Sequence, residues 1–318
     1  MNKIVATIAL PAFNSVRTLE ECLASLEAQT FPREKMHIVV GDNGSTDGTL
    51  EMIQTRFPAV EVVQARERGS GYARNAAFAR AQGQCVCSID ADCVAEPGWV
   101  AAMVAAFERF SPSVGCLGGH IEPYQIRTLV EHYRHAWIQQ ENLRDGRSDL
   151  RYASTPNAAF RCAALDEVGL FDGTQGFDDT DLGIRLTAAG YAIEYVPEAI
   201  VRHRNPASVR ELYRHRVKYG NFQVRLARKH PSRFVFPQTA AARRLATFQT
   251  VRRVAGDVLY KLPRALIGGD EGQGTRWWPM LDAVLALGLH IGERRAWAQE
   301  RPARKETSIA RTDSPVGR

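Results

Sequence analysis

The chain has 318 residues, of which 45% are hydrophobic and 24% are charged. This is the composition of an ordinary globular protein, and the length allows one catalytic domain of roughly 200–250 residues with an appendage. No apolar run reaches the 18 or more residues of a membrane-spanning helix, so any membrane contact is expected to be peripheral.

The charge is unevenly distributed along the chain. Residues 201–318 hold 24 Lys and Arg against 9 Asp and Glu, whereas residues 1–200 hold 17 against 26. A basic rear half predicts an anionic partner, such as lipid head groups, a phosphorylated acceptor or nucleic acid. The alternative is a solvated basic face. Nucleic acid is the least favoured partner, because no known motif or interleaved aromatic residues accompany the charge.

Two features bear on the compartment. The six cysteines form no CxxC pair and lie mostly in apolar surroundings, which predicts reduced core residues of a cytoplasmic protein. The apolar stretch that ends at Leu10 could pass for a short signal peptide. Pro11 and Asn14 end it early and no small-residue cleavage site follows, so a first β-strand explains it better.

The first 120 residues alternate short apolar runs with helical patterns, which predicts βαβ units and a mainly parallel sheet. Strands are predicted at Ile4–Leu10, His37–Gly41, Val60–Gln64, Cys85–Ile89 and Val114–Gly118, with helices over about 16–29, 47–56, 71–82 and 97–110. Asn14, Asp42 and Asp90 then follow successive strand ends. Because ligands of open α/β sheets bind at that edge, one cleft could collect all three side chains.

The next hundred residues are mixed. Residues 121–152 are predicted to form a polar, helical insertion. A strand is predicted at Asn157–Arg161, helices at Ala163–Val168 and Asp178–Ala189, and an extended segment at Ile193–Val201.

Beyond Ser208 the chain is helical and basic. Within 241–266, apolar residues recur at helical spacing while arginines and lysines take other positions, which predicts a basic amphipathic helix. Trp277-Trp278-Pro279 and the apolar run Val284–Leu289 follow, a pattern that suits a membrane interface or a helix packed on the domain. Residues 301–318 lack apolar periodicity and are predicted to be disordered.

The triplet Asp90-Ala91-Asp92 follows the apolar run Cys85–Ile89. In an extended segment, side chains at i and i+2 point the same way, so both carboxylates would converge on one spot. Such a pair repels itself unless a cation lies between, and a divalent metal bridging to a diphosphate is the natural candidate. Taken alone, the triplet is also compatible with a simple turn.

Several motifs occur together in one order and spacing, and they resemble those of the family-2 glycosyltransferases over roughly residues 4–225. They are Leu10-Pro11-Ala12-Phe13-Asn14, residues 41–49, Ala73-Arg74-Asn75, Asp90-Ala91-Asp92 and residues 176–182. The resemblance implies an inverting hexosyltransferase with a nucleotide-diphosphate sugar donor and a divalent metal, Mn²⁺ or Mg²⁺.

The implied architecture is α/β: a single Rossmann-like glycosyltransferase A domain with a mainly parallel sheet, plus a helical basic extension at the C-terminus. Residues 1–230 would form the catalytic domain, in which 1–120 bind the nucleotide sugar and 121–230 face the acceptor. Residues 231–300 would form the amphipathic extension.

The resemblance also implies roles for individual residues. Pro11, Ala12, Asn14, Asp42, Arg74, Asp90, Ala91 and Asp92 would contact the nucleotide sugar, and Asp92, Asp90 and His203 would hold the metal. Asp42 would read the uracil imide, which favours UDP; its alternative is a turn or helix-capping residue. Arg202 and Arg204 beside His203 could instead form a phosphate-binding rim.

Asp179 is the predicted general base, taking the proton of the acceptor hydroxyl, with Asp178 beside it. The family pattern has Glu more often at the position of Asp178 and an acid at the position of Ser15, so this chain departs at both. Acids that merely complement a helix N-terminus are the alternative.

The predicted function is sugar transfer to a lipid-linked or polysaccharide acceptor by a cytoplasmic protein, with peripheral attachment to the cytoplasmic face of the inner membrane as an extension of that prediction. Two alternatives stay open. One is a catalytically silent sugar-nucleotide-binding or scaffold protein. The other is a sugar nucleotidyltransferase, although Pro11–Arg17 lacks the glycine-rich phosphate loop that such enzymes use.

Overall fold

A computed structural model describes residues 3–135, 140–144, 150–173, 176–234, 237, 239–262 and 277–298. The strands are β1 (Ala6–Ala12), β2 (Met36–Asp42), β3 (Glu61–Gln64), β4 (Cys85–Ser88), β5 (Cys93–Ala95), β6 (Val114–Pro123), β7 (Ala158–Arg161) and β8 (Ala192–His203). The helices are α1 (Val16–Glu27), α2 (Thr49–Arg56), α3 (Ser70–Phe78), α4 (Trp99–Arg109), α5 (Leu129–His135), α6 (Glu141–Arg144), α7 (Cys162–Val168), α8 (Asp178–Ala188), α9 (Val209–Lys229), α10 (Ala240–Gly256) and α11 (Trp278–Ala298).

The strands form one sheet in the order β3-β2-β1-β4-β7-β6-β8-β5. The first four are parallel to one another, and β6 is parallel to β8; β7 and β5 run antiparallel to their neighbours. The prediction of an α/β fold with a mainly parallel sheet is therefore confirmed. Because β2, β1 and β4 are adjacent and parallel, the loops that follow them meet at one edge of the sheet.

Helices cover both faces of the sheet. Alternate residues of β1 face opposite sides, with Ile8 and Leu10 in the core against α1, α2 and α4, and Ala9 in the core against α3, α7 and α8. Such a sheet, buried on both faces, explains why its strands read as continuous apolar runs rather than as strict alternation.

The predicted start of the polar insertion at residue 121 is wrong, because β6 continues to Pro123. Gly118 and Gly119 interrupt its apolar pattern, and a sequence pattern cannot show that β8 pairs with it along its whole length. The pairing shifts from Gly119 opposite Val196 to His120 opposite Ile200. The residues skipped include Pro197, which has no N–H to donate to a ladder, so the strand bulges there.

The apolar run of α11 packs inside the protein. Leu281 and Leu285 form a small core with Tyr133 and Leu212. The helix lies so close to α9 that a Cβ on Gly220 would meet the carbonyl oxygen of Leu289 at 1.9 Å. This part of the predicted membrane interface is therefore used for packing between helices.

The predicted helix over 241–266 is present as α10, which continues into a π-helical turn at Asp257–Lys261. Leu245, Phe248, Val251 and Val258 are exposed, whereas Val254 is half-buried, and the end of the predicted range lies outside the described residues. No helix in the described ranges is long and apolar enough to cross a membrane. All six cysteines are free, and five are buried.

Candidate active site

A cavity of about 1230 Å³ opens at the strand edge where β1 and β4 end. It is larger than the roughly 300–1,000 Å³ of a typical small-molecule pocket, so it has room for two substrates. Ten of the predicted site residues line it: Pro11, Ala12, Asn14, Arg74, Asp90, Ala91, Asp92, Asp178, Asp179 and His203.

Asp42 is the predicted site residue that does not line the cavity. It is fully buried, and its carboxylate accepts hydrogen bonds from the N–H groups of Gly44 (3.0 Å) and Ser45 (3.1 Å). This is the arrangement of the turn-residue alternative. Asn43, the next residue, lines the cavity instead, and its side chain holds the loop before α3 through the N–H of Gly69 at 2.7 Å. The reading of a base by Asp42 stays a prediction.

Asn14 fastens the turn after β1 to the loop after β2. Its side-chain oxygen accepts from the N–H of Thr46 at 2.8 Å, and its own N–H donates to the hydroxyl of Ser45 at 2.9 Å. Its φ of 49° lies in the left-handed region, which asparagine tolerates better than most residues. The turn that faces the cavity is thus fixed before any ligand arrives.

Asp90 and Asp92 lie outside an extended strand, although the charge of Asp90 still raises the pKa of Asp92. β4 ends at Ser88, so the triplet lies in a turn, where the alternation of an extended strand does not apply. Asp90 turns toward α3 and accepts from Nη2 of Arg74 at 2.7 Å. Asp92 turns toward β8, where Nε2 of His203 lies 3.7 Å from its Oδ1.

Arg74 is a buried cation among acids, with 7% of its surface exposed. Burial alone would lower the pKa of Arg74, but the ion pair with Asp90 and the charges of Asp179 and Asp178 outweigh it and raise the pKa. Its Nε has no hydrogen-bond partner among the described residues. The guanidinium therefore keeps three carboxylates close together and retains a free donor.

Asp92 and His203 are brought together by β5, whose Cys93 pairs with His203 across the sheet. The sequence did not reveal this three-residue strand. Within the described parts of the chain, one group of side chains could hold a metal ion, and it consists of Asp92, Cys93 and His203, with ligand atoms within 4.8 Å of one another. Asp90 is not in this group, so its role as a metal ligand stays a prediction.

The donor set fits a borderline or hard divalent ion. A carboxylate and an imidazole suit Mn²⁺, whereas burial and the charges of Asp92 and Asp90 raise the pKa of the Cys93 thiol far above its usual range. A thiol held protonated in this way is a poor ligand. Asp92 and His203 remain, and the sequence predicted both as metal ligands together with Asp90.

Asp178 and Asp179 begin α8, directly after a backbone turn in which Phe177 has a φ of 56°. This positive φ in a bulky residue is strained, and such strain is found mostly at functional sites. Asp178 packs against α3 so closely that a Cβ on Gly71 would meet its Oδ2 at 2.5 Å. Asp179 accepts from the N–H of Thr180 at 2.7 Å.

The pKa values of both carboxylates are raised. Burial raises the pKa of Asp178 to about 7, although Arg74 opposes the shift. Burial also raises the pKa of Asp179, with the Thr180 hydrogen bond and Arg74 opposing it. A raised pKa makes a carboxylate a stronger base near neutral pH.

Asp181, one turn further, is engaged in structure. It forms ion pairs with Arg185 and Lys229, each at 2.9 Å, and shares a hydrogen bond with Nε2 of His230 at 2.8 Å. These contacts tie the end of α9 to α8. Arg202 and Arg204 are also paired, with Glu96 and Glu122 and with Glu21 respectively, which speaks against the phosphate-binding rim.

The part of the cavity lining that comes from α5 and α9 is basic and aromatic, and the sequence did not identify its residues individually. Arg134 of α5 and His215, Arg216 and Tyr219 of α9 line it. The basic pattern beyond Ser208 signalled an anionic partner. It could not show which of its many cations face the cavity, because that depends on the packing of α9 against α5 and α11.

The comparisons with known proteins show the family and the fold. The family model described as "Glycosyl transferase family 2" matches residues 7–169, half of the chain. The matched part contains β1 to α7 and ends before Asp178 and Asp179. "Glycosyltransferase AglE" of Haloferax volcanii is 25% identical over 226 residues, which are 69% of this chain and 73% of AglE. Alignments with two further curated relatives span 65% and 54% of their lengths.

Two solved structures are similar in fold. S. aureus TarS 1-349 in complex with UDP-GlcNAc has a TM-score of 0.51 at 17% identity, covering 93% of this chain and 92% of that one. Mannosyltransferase PcManGT from Pyrobaculum calidifontis, in complex with GDP-Man and Mn²⁺, has a TM-score of 0.50 at 18% identity, covering 94% and 76%.

Proposed function

The chain belongs to glycosyl transferase family 2, and we propose that it moves a sugar from a nucleotide-diphosphate donor to a hydroxyl of a lipid-linked or polysaccharide acceptor, with inversion at the anomeric carbon. One observation carries the proposal. Asp90, Asp178 and Asp179 lie around the buried Arg74, and Asp92 lines the same cavity, at the edge where β1 and β4 end. Burying several carboxylates close together costs free energy. Such a cluster therefore indicates a site that binds a cation or transfers a proton.

In the proposed reaction Asp179 is the general base. The acceptor oxygen forms a bond to the anomeric carbon while the bond from that carbon to the diphosphate oxygen breaks, and the acceptor proton passes to the Asp179 carboxylate. The diphosphate leaves from the opposite face, which gives inversion. The raised pKa of Asp179 favours this proton transfer, and the hydrogen bond from Thr180 orients the carboxylate.

Asp92 and His203 are the residues that would hold a divalent metal, since the oxygen of one and the nitrogen of the other face each other at 3.7 Å. A bound Mn²⁺ would stabilise the charge of the departing diphosphate. PcManGT, which has a similar fold, was solved with Mn²⁺. Arg74 keeps Asp90 oriented at the same edge through its 2.7 Å hydrogen bond.

UDP is the proposed nucleotide, although Asp42 is occupied by the loop that it caps. Structures of similar fold contain UDP-GlcNAc and GDP-Man. Binding of a uracil by Asp42 would therefore require the loop at Gly44 and Ser45 to move.

The experiment that tests the proposal is thermal melting of the full chain against UDP-, GDP- and dTDP-sugars, with and without Mn²⁺. A ligand that binds only the folded protein raises its melting temperature, so we expect a rise that requires both one donor and the metal. The identity of that donor gives the base and the sugar class. No rise with any donor would favour the catalytically silent alternative instead.

The exposed face of α10 supports peripheral attachment to an anionic membrane. Leu245, Phe248 and Val251 are 55–64% exposed at spacings of three residues, and Leu259 of the following turn is 65% exposed. Arg244, Arg252 and Arg253 are exposed beside them; among the described residues none of the three has an ion pair. Apolar side chains together with unpaired arginines match the chemistry of an anionic lipid surface.

We expect the full chain to float with vesicles of phosphatidylcholine and phosphatidylglycerol, and less with phosphatidylcholine alone. The double variant Leu245→Glu, Phe248→Glu should lose flotation without losing stability, because both side chains are already exposed. Ile126→Glu, at an apolar residue that is 45% exposed elsewhere, is the matched control. Equal flotation of the double variant and the wild type would refute the attachment.

A further inference from the structure

Two arginines on the basic side of the cavity lack the partners that buried cations normally have. Arg134 is only 6% exposed, and Arg216 is half-buried. In both, Nε is buried without a hydrogen-bond partner, and within the described residues no carboxylate lies within 4 Å of either guanidinium. By contrast, Arg74 and Arg204, which also line the cavity, both have acidic partners. The two unpaired arginines thus differ from the other cavity arginines named here.

The groups that act most on the charges of Arg134 and Arg216 are cations and phenols, and one of these phenols, Tyr133, donates to the carboxylate of Asp282 at 2.5 Å. Burial lowers the pKa of Arg134 and that of Arg216, and Arg216 also lowers the pKa of Arg134 through like charge. His215 lies beside them, and burial together with both arginines lowers its pKa to about 4. At neutral pH His215 is therefore uncharged while both arginines keep their charge. The groups that favour those charges are the phenols of Tyr219 and Tyr133, which are themselves neutral.

Two uncompensated, partly desolvated cations cost free energy in the protein without ligand, and an anion that binds between them would recover it. The guanidinium fork matches the oxygens of phosphate in a bidentate manner. Lys218 also lines this side of the cavity. Arg134, Arg216 and Lys218 together suit a group with more than one negative charge. Phosphate and diphosphate carry such a charge, whereas a single carboxylate carries only one.

The position of the pair assigns the phosphate to the acceptor rather than the donor. The donor side carries Asp90 and Asp92, whereas Arg134 and Arg216 come from α5 and α9. Tyr219 joins the two sides, because its hydroxyl lies within electrostatic reach of Arg134 and Arg216 and also of Asp179 and Asp90. A phosphate at the arginines would therefore belong to a molecule whose reacting oxygen extends toward Asp179.

We infer that Arg134 and Arg216 bind a phosphate or diphosphate group of the acceptor, so that the acceptor is a phosphorylated molecule and not a neutral glycan. This inference rests on the proposed function only in calling the bound molecule the acceptor. The binding site itself follows from the two unpaired arginines alone.

The test is calorimetric titration of the full chain with inorganic pyrophosphate in EDTA, where no metal can hold the anion at the acidic side. The wild type should bind, and Arg134→Gln and Arg216→Gln should each bind at least about tenfold more weakly, because each removes a charge-assisted pair of hydrogen bonds. Arg210→Gln is the matched control, since Arg210 is an exposed arginine of α9 that does not line the cavity. It should bind as the wild type does.

Two further measurements separate this inference from its competitors. Binding of UDP with Mn²⁺ should be the same in both variants and the wild type. If UDP binding falls with pyrophosphate binding, the arginines hold the donor diphosphate and the inference is wrong. The ligand-free melting temperatures of the variants should equal or exceed that of the wild type, because an uncompensated charge has been removed. A clear drop would mean that the arginines are structural and would also overturn it.

The source of the phosphate is distinguished by repeating the titration with farnesyl diphosphate. Tighter binding than that of pyrophosphate assigns the group to a lipid carrier, and equal binding assigns it to a non-lipid phosphorylated acceptor. Failure of the wild type to bind either probe would refute the inference while UDP and Mn²⁺ binding still supported the proposed function.

Discussion

Asp179→Asn is expected to reduce the rate of sugar transfer by about 10²–10⁴-fold, the usual contribution of a general base. The amide has the size of the carboxylate but cannot take the acceptor proton at neutral pH. Burial already raises the pKa of Asp179, so removal of its charge should not destabilise the fold. The measurement is the transfer rate at saturating donor and acceptor.

The control for this substitution is Asp166→Asn, because Asp166 is an exposed aspartate that does not line the cavity. It should retain the wild-type rate. In Asp179→Asn the affinity for the donor should be nearly unchanged, since Asp179 is proposed to act on the acceptor. A rate within a fewfold of the wild type would remove Asp179 from its role. A loss of donor binding with little change in rate would assign it to the donor instead.

Asp92→Ala is expected to abolish the effect of Mn²⁺ on donor binding. In the wild type, EDTA should weaken donor binding strongly, because a metal supplies several kcal/mol to the stabilisation of a diphosphate. The variant should bind donor with the weak affinity of the EDTA-treated wild type, and EDTA should change it no further. Calorimetric titration of the donor, with Mn²⁺ and with EDTA, measures all four affinities.

His203→Ala provides an independent check, since its Nε2 faces Asp92 at 3.7 Å. It should weaken the response to Mn²⁺ in the same direction as Asp92→Ala, whereas Asp166→Asn should leave it intact. If Asp92→Ala still responds to Mn²⁺ as the wild type does, the metal is held elsewhere. Asp90, together with Arg74, would then have to be considered as the place where the nucleotide sugar binds.

Apolar periodicity was sufficient to predict most of the sheet. The runs at β1, β2 and β4 are long, β-branched or cysteine-rich, and bounded by polar turns, so their positions follow from local pattern. β5 is three residues long and exists because it pairs with β8. The end of β6 and the bulge at Pro197 likewise depend on pairing partners distant in sequence, which no local window contains.

The candidate site was predicted in the same uneven way. Carboxylates at strand ends and at a helix start are recognisable one by one, and ten of the eleven predicted site residues line one cavity. Their partners were not predictable. The pair between Asp90 and Arg74, for example, depends on the turn that follows β4 and on the packing of α3. Arg134 and Arg216 come together only because α5 and α9 pack around Tyr133 and Leu212.

Thermal melting of the wild-type chain with a nucleotide sugar, with and without Mn²⁺, tests most directly whether this cavity is a donor site. We expect a melting temperature that rises only when one donor and the metal are both present. An unchanged melting temperature with every nucleotide sugar, in the presence and absence of Mn²⁺, would contradict it.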